Sequence, residues 1–211
     1  MATHAPARVT RAARVELLHG IYPILNEGVR TLELARAVLD AGVRIVQYRA
    51  KNGIRSECVR ALRKLTRERD ALLILNDDWR AALAYDCDGV HLGPDDDGFA
   101  AVAAVRNATQ ECLIGLSCGT ASEVRDAGDG DVDYLGIGPV FETASKSDAG
   151  PPLGIDGLRS LASQTLLPVA AIGGITVARL DEIRRSGVAM AAVISAVTET
   201  QRLVSRWGTA G

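Results

Sequence analysis

Aromatic residues are scarce, at 4% of 211 positions. So few rings exclude a stacking platform for nucleobases, and any ligand is expected to be held by polar groups. Positive charge is not in excess either: 24 Lys and Arg stand against 26 Asp and Glu, a net charge of −2. That balance lacks the electrostatic footprint of a nucleic-acid binder. The four cysteines (Cys58, Cys87, Cys112, Cys118) include no C-x-x-C pair, and the three histidines (His4, His19, His91) are scattered. Neither a zinc site nor a disulfide framework follows from that spacing. No apolar run is long enough to span a bilayer, and the opening MATHAPARVTRA lacks the apolar segment of a secretory signal. A cytoplasmic protein with no membrane or nucleic-acid partner is expected. Residues 1–18 read as an N-terminal arm, disordered or helical in part.

What the chain does have is apolar material in short pieces. Hydrophobic residues make up 47% and the mean hydropathy is +0.10, enough for the core of one domain. Eight β-branched or apolar runs recur: GIYPIL (20–25), VRIVQYR (43–49), ALLIL (71–75), DGVHL (88–92), CLIGLS (112–117), VDYLGIG (132–138), LPVAAIG (167–173) and VAMAAVI (188–194). Segments of helical period lie between them. TLELARAVLDAG puts Leu32, Ala35 and Leu39 on one face and stops at Gly42. IRSECVRALRKLTRERD puts Val59, Leu62 and Leu65 on one stripe, with Ser56 as a candidate N-cap and arginines on the opposite, solvated face. Further helices are expected after Asp77, Gly98, Thr120, Ile155 and Thr176, and from Ser195. Strand and helix alternating eight times predict an α/β protein with a parallel sheet. About 26 residues per unit fits a lean (β/α)8 TIM barrel over 19–211, and the first strand lacks the G-x-G-x-x-G of an open doubly wound sheet.

In such a barrel chemistry sits at the carboxyl ends of the strands. The second run ends in Gln47, Arg49 and Lys51, which a period of two puts on one side. The third runs into Asn76-Asp77-Asp78 and the fourth, through His91, into Asp95-Asp96-Asp97. Oxygen ligands of this kind suit Mg²⁺ shared with substrate phosphates: Asp77 with one of the second cluster, while Asp78 caps the next helix. The fifth ends at Ser117, and the sixth leads into a long loop offering Thr143, Ser145 and Lys146. A loop that long in a lean barrel reads as a lid. Gly173-Gly174 after the seventh run, and Ile194-Ser195 at a helix start after the eighth, read as a phosphate cradle. The rim thus offers a phosphate-monoester site facing a cationic, metal-binding half suited to a pyrophosphate.

The ordered series QYRAK, NDD, DGVHLG, GLS, DYLGIGPVF with T-x-S-K, PLG, AIGGI and VISA resembles the thiamine-phosphate synthase family over residues 20–197. The resemblance implies transfer of a hydroxymethylpyrimidine group from its diphosphate to the nitrogen of a thiazole phosphate, with Mg²⁺. It implies that Gln47, Arg49, Lys51 and Asn76 hold the pyrimidine diphosphate and that Asp77 and Asp96 hold the metal. Ser117 and Lys146 would contact the pyrophosphate and act on it with Arg49. Thr143, Ser145, Gly173, Gly174, Ile194 and Ser195 would surround the thiazole phosphate. The two small molecules are the implied partners, and a homo-oligomer is left open. Departures from the family pattern stand at Leu25 and Asn26 (threonine and aspartate more often), at Pro94-Asp95 (Gln-Glu), and at Ser145 (threonine).

Two other functions share this sequence pattern. A thiazole tautomerase of related fold would need no pyrophosphate half, which Gln47, Arg49, Lys51, Asn76 and Asp77 supply here. A catalytically silent sensor of a phosphorylated metabolite would not need the metal pair. His91 reads as a structural hydrogen-bonder, and the cysteines as small neighbours of the strands.

Overall fold

The computed structural model describes residues 10–93, 98–145 and 150–208. Eight parallel strands close into a barrel in chain order: β1 (Gly20–Asn26), β2 (Ile45–Arg49), β3 (Leu72–Asn76), β4 (Gly89–Leu92), β5 (Leu113–Cys118), β6 (Tyr134–Ile137), β7 (Val169–Ile172) and β8 (Met190–Val193). β8 pairs back onto β1, with Gly20 opposite Met190 and Pro23 opposite Val193. The expected (β/α)8 barrel is therefore the fold.

The described helices are α1 (Arg11–Val15), α2 (Thr31–Asp40), α3 (Ser56–Arg67), α4 (Trp79–Ala84), α5 (Gly98–Ala108), α6 (Ala121–Asp129), α7 (Gly154–Ala162), α8 (Leu180–Arg185) and α9 (Thr200–Gly208). Short 3₁₀ turns, Val177–Arg179 and Ser195–Glu199, precede the last two. Strand alternation divides the core in two. Tyr22, Ile24, Ile45, Leu72, Ile74, Leu113, Tyr134, Ala170, Met190 and Ala192 point inward and fill the barrel. Their strand neighbours, such as Leu25, Val46, Leu73, Val90, Ile114 and Leu135, point outward and pack under the helices. No helix among the described residues is long and apolar enough to cross a membrane.

Helix ends explain several local sequence choices. α2 stops as expected: Gly42 at φ 90 lets its N–H reach the Leu39 carbonyl while Val43 reaches Val38, satisfying the last carbonyls of the helix. α3 ends with the same pattern, but there the left-handed position is Asp70, at φ 49. Glycine is the residue that this conformation favours, so Asp70→Gly should stabilise the fold by about 0.5–1 kcal/mol and raise Tm by roughly 1–4 °C in a thermal melt. Ser56 is not the N-cap of α3. Arg55 holds that position, and Ser56 Oγ instead meets Tyr85 Oη at 2.5 Å, tying α3 to the end of α4. Asp78 does cap α4, accepting from the Ala81 N–H at 2.9 Å. Thr120 and Glu123 form a reciprocal capping box at α6.

The amino-terminal end of the barrel is sealed by charge and by a plug. Val15, Leu17 and Leu18 pack against the barrel interior from below. Arg11 donates to Asp133 at 2.6 Å and Arg14 to the Glu111 carbonyl at 2.6 Å, anchoring α1 beneath β5 and β6. Two aspartates at the starts of strands repeat one role. Asp88 accepts from the Leu73 N–H at 2.9 Å and from Arg63 at 2.7 and 3.1 Å; Asp133 accepts from the Ile114 N–H at 2.7 Å and from Arg106 at 2.8 Å. Arg63 therefore departs from the solvated face expected for the arginines of α3, because its fork is consumed by a buried carboxylate.

Candidate active site

The carboxyl ends of the strands form one mouth, and the candidate side chains sit around it in chain order. On β2, Gln47 lies buried inside the barrel and Arg49 half-buried at its lip. The period-two alternation ends at Arg49, where the strand ends; Lys51 follows in an exposed turn, so its orientation is set by the turn and not by the strand. Arg49 Nη1 donates to Asn26 Oδ1 at 3.3 Å across the β1–β2 pairing. With an amide at 26, the guanidinium is oriented without being neutralised, and Arg49 makes no ion pair among the described residues.

At the end of β3, Asn76 donates to the Asp77 carboxylate. Asp77 lies in the left-handed region, at φ 63, and its N–H donates to the His91 carbonyl at 2.9 Å. Asp77 is exposed at the strand end, while Asp78 is taken up by the α4 cap. The two neighbouring aspartates so divide between site and scaffold. Asp96, the second metal candidate, Asp95, Asp97 and Pro94 lie outside the described residues, as does Lys146. Among the described residues no three His, Cys, Asp or Glu side chains gather into a metal cluster. One exposed hard-oxygen carboxylate at the mouth suits a cation that takes its remaining ligands from a second aspartate and from substrate phosphates.

Two strands further round, Ser117 at the end of β5 is half-buried and its Oγ lies 3.0 Å from His91 Nε2. In the loop after β6, Thr143 Oγ1 accepts from the Ser145 N–H at 3.2 Å, and both residues are half-buried. That loop is stapled to β7: Val140 N–H reaches the Ile172 carbonyl at 2.8 Å and Phe141 N–H reaches Gly173 at 3.1 Å. Gly173, at φ 102, is required by packing as well as by conformation, since a Cβ there would lie 2.7 Å from Pro139 Cα. Arg179 locks the same corner, donating to the Gly174 carbonyl at 3.0 Å with its guanidinium 4.3 Å above the Phe141 ring. Ile194 is half-buried, and Ser195 opens the 3₁₀ turn after β8 on the exposed rim.

The family model for thiamine monophosphate synthase matches residues 21–197, from the start of β1 to just past β8. The chain belongs to the thiamine monophosphate synthase family. It is 39% identical over 184 residues to thiamine-phosphate synthase of Chloroflexus aurantiacus, covering 84% of each chain. It is 44% identical over 169 residues to that of Archaeoglobus fulgidus, covering 78% of each. In three dimensions it resembles thiamine phosphate pyrophosphorylase of Pyrococcus furiosus, with a TM-score of 0.80 at 31% identity over 92% of this chain and 96% of that one. The resemblance carried by the short strand-end motifs is thus the family relationship itself, and it belongs to a transferase family.

Sequence reading left out Tyr22 and Tyr134, which lie buried beneath the mouth, and Arg179, which braces its exposed rim. The tyrosines sat inside apolar runs and passed as core. His91, read as a structural hydrogen-bonder, contacts Tyr134 Oη through Nδ1 at 3.1 Å. The only signal for this floor was the glycines. A Cβ on Gly115 would lie 2.1 Å from Tyr134 Cζ and 2.5 Å from His91 Nδ1, so the backbone there is stripped to admit both rings. The cysteines stand, as expected, as small buried neighbours of the strands and helices. All four are buried and unpaired, and burial pushes the Cys112 thiol up to about 11 and those of Cys87 and Cys118 up to about 12.

Proposed function

We propose that this chain joins a hydroxymethylpyrimidine diphosphate to a thiazole phosphate, carboxylated or not, giving thiamine phosphate and pyrophosphate. The observation that supports this most is the polarity of the mouth: an unneutralised Arg49, Asn76, an exposed Asp77 carboxylate and Ser117 on one arc, and the loops of Thr143, Gly173-Gly174 and Ser195 on the other. One arc suits a diphosphate with a divalent cation, the other a monoester.

The reaction asks for a leaving group to be stabilised more than for a nucleophile to be activated. The C–O bond of the pyrimidinylmethyl diphosphate breaks with its electron pair going to the bridging oxygen, and the aminopyrimidine ring delocalises the positive charge left on the methylene carbon. The thiazole nitrogen then forms the new C–N bond. Gln47, Arg49, Lys51 and Asn76 hold the diphosphate, and Arg49, Lys146 and Ser117 donate to its oxygens as negative charge develops. Thr143, Ser145, Gly173, Gly174, Ile194 and Ser195 hold the thiazole phosphate so that its nitrogen faces the carbon. Asp77 and Asp96 would hold Mg²⁺, which neutralises phosphate charge when bound. Each charged hydrogen bond contributes roughly 1.5–3 kcal/mol, so losing one donor slows turnover about ten- to a hundredfold. The reading includes a cytoplasmic setting, where the four buried thiols stay reduced.

Incubation with both phosphorylated half-molecules and Mg²⁺ should yield thiamine phosphate by mass spectrometry. Isomerised thiazole alone would select tautomerase chemistry. No change in either molecule, with both still bound, would select a silent sensor.

A further inference from the structure

Beneath the mouth, five side chains from five strands form one continuous hydrogen-bonded chain across the barrel. Gln47 Nε2 donates to Tyr22 Oη at 2.9 Å, Tyr22 Oη meets Tyr134 Oη at 2.9 Å, Tyr134 Oη meets His91 Nδ1 at 3.1 Å, and His91 Nε2 meets Ser117 Oγ at 3.0 Å. The chain links the β2 and β5 ends of the diphosphate half through residues 112 positions apart in sequence. Space for it is built in: besides the clearance at Gly115, a Cβ on Gly136 would lie 2.9 Å from His91 Cε1. Tyr22 and Tyr134 stand edge to face, ring centroids 6.0 Å apart.

The direction of the chain follows from its first atom. An amide nitrogen only donates. Tyr22 Oη, having accepted that hydrogen, has Tyr134 Oη at 2.9 Å as the acceptor within reach of its own. In that arrangement the hydrogen of Tyr134 points to His91 Nδ1, which would accept it. A ring that accepts at Nδ1 would carry its one proton on Nε2 and offer it to Ser117 Oγ. Ser117, its lone pair engaged from below, has its own hydrogen left for the mouth. Run in reverse, the chain would need the Gln47 amide turned over, and Ser117 would offer only lone pairs to an anionic diphosphate.

We propose that Tyr134 is a positioning residue which fixes His91 in its Nε2–H tautomer and so directs the Ser117 hydroxyl hydrogen at the leaving diphosphate. This role rests on the diphosphate reading above. Burial raises both tyrosine hydroxyls well above their ordinary range, so they stay protonated and the chain orients hydrogens without transporting them.

The test is Tyr134→Phe, which keeps the ring and removes the hydroxyl. Imidazole ¹⁵N chemical shifts should report the Nε2–H tautomer for His91 in the wild type, with His91→Asn assigning the signal, and a mixture of tautomers in Tyr134→Phe. In the transfer assay kcat should fall about tenfold while KM for the pyrimidine diphosphate moves less than about threefold, since the lost interaction matters as charge develops. In a Ser117→Ala background the same substitution should cost almost nothing further, because the group it orients is gone. An Nδ1–H tautomer in the wild type, or an undiminished cost in the Ser117→Ala background, overturns the proposal. If Tyr134→Phe fails to fold, Tyr22→Phe tests the same polarity, and an unaltered His91 tautomer there overturns it equally. A wild type that forms no thiamine phosphate yet shows the tautomer and its loss would defeat the reaction assigned above and leave the orienting chain standing.

Discussion

Asp77→Asn should give a folded barrel whose synthesis of thiamine phosphate is slowed by more than about a hundredfold, and Asp77→Ala one that makes no detectable product. The backbone at 77 is left-handed, a conformation that asparagine tolerates nearly as well as aspartate, so the Asn variant isolates the charge from the turn. Alanine there adds about 1–2 kcal/mol of backbone strain, which a barrel of this size absorbs. The helix that follows keeps its cap in both variants, because Asp78 supplies it. What is lost is a carboxylate at the mouth beside Asn76, and with it the hard oxygen ligand proposed above for a cation. Far-UV circular dichroism and a thermal melt check the fold, and product formation is followed while Mg²⁺ is titrated. The slow residual turnover of Asp77→Asn should require more Mg²⁺ than the wild type needs. Near-normal turnover at limiting Mg²⁺ would remove Asp77 from the metal site.

The parts of this molecule that announce themselves in sequence are those set by near neighbours. A strand declares itself through an apolar run of four to seven residues, and Asp78 and Thr120 declare helix starts because a capping side chain binds an N–H three residues on. The polar strand ends were legible for a related reason: once the barrel is inferred, every Asn76 or Ser117 at the end of an apolar run falls at the mouth. What was not legible depends on distant partners. Tyr22 and Tyr134 look like apolar core until the closed barrel puts their hydroxyls together, and Arg63 looks solvated until Asp88 is seen beneath it. Ser56 was a plausible cap by composition, yet Tyr85, 29 positions away, takes its hydroxyl. Lys51 was assigned by a period that stops two residues short of it.

The same reasoning applies to the far end of the barrel, where Asp133→Ala should cost about 3–5 kcal/mol of stability with no loss of activity per folded molecule. The Asp133 side chain is 3% exposed and holds three donors at once: Arg11 Nε, Arg106 Nη2 and the Ile114 N–H. Removing it leaves the buried Arg106 with only the exposed Asp131 as counter-charge and the Ile114 N–H without its acceptor. The Arg106 side chain is itself only 7% exposed, so it cannot recover by turning to solvent. Asp131 gives a control of the same charge and nearly the same partners, pairing with Arg11 at 2.5 Å and with Arg106 at 3.1 Å, but it is 54% exposed. Asp131→Ala should therefore cost less than about 1 kcal/mol. Asp133→Asn should fall between, since an amide oxygen can still accept from Ile114 but carries no charge. Melts should separate the series, Asp133→Ala falling by roughly 10 °C and Asp131→Ala by a few degrees at most. Because the candidate active-site mouth lies at the opposite end of the strands, kcat measured well below the melting range should be unchanged in all three. Equal melting temperatures for Asp133→Ala and Asp131→Ala would show that burial does not set the strength of this network.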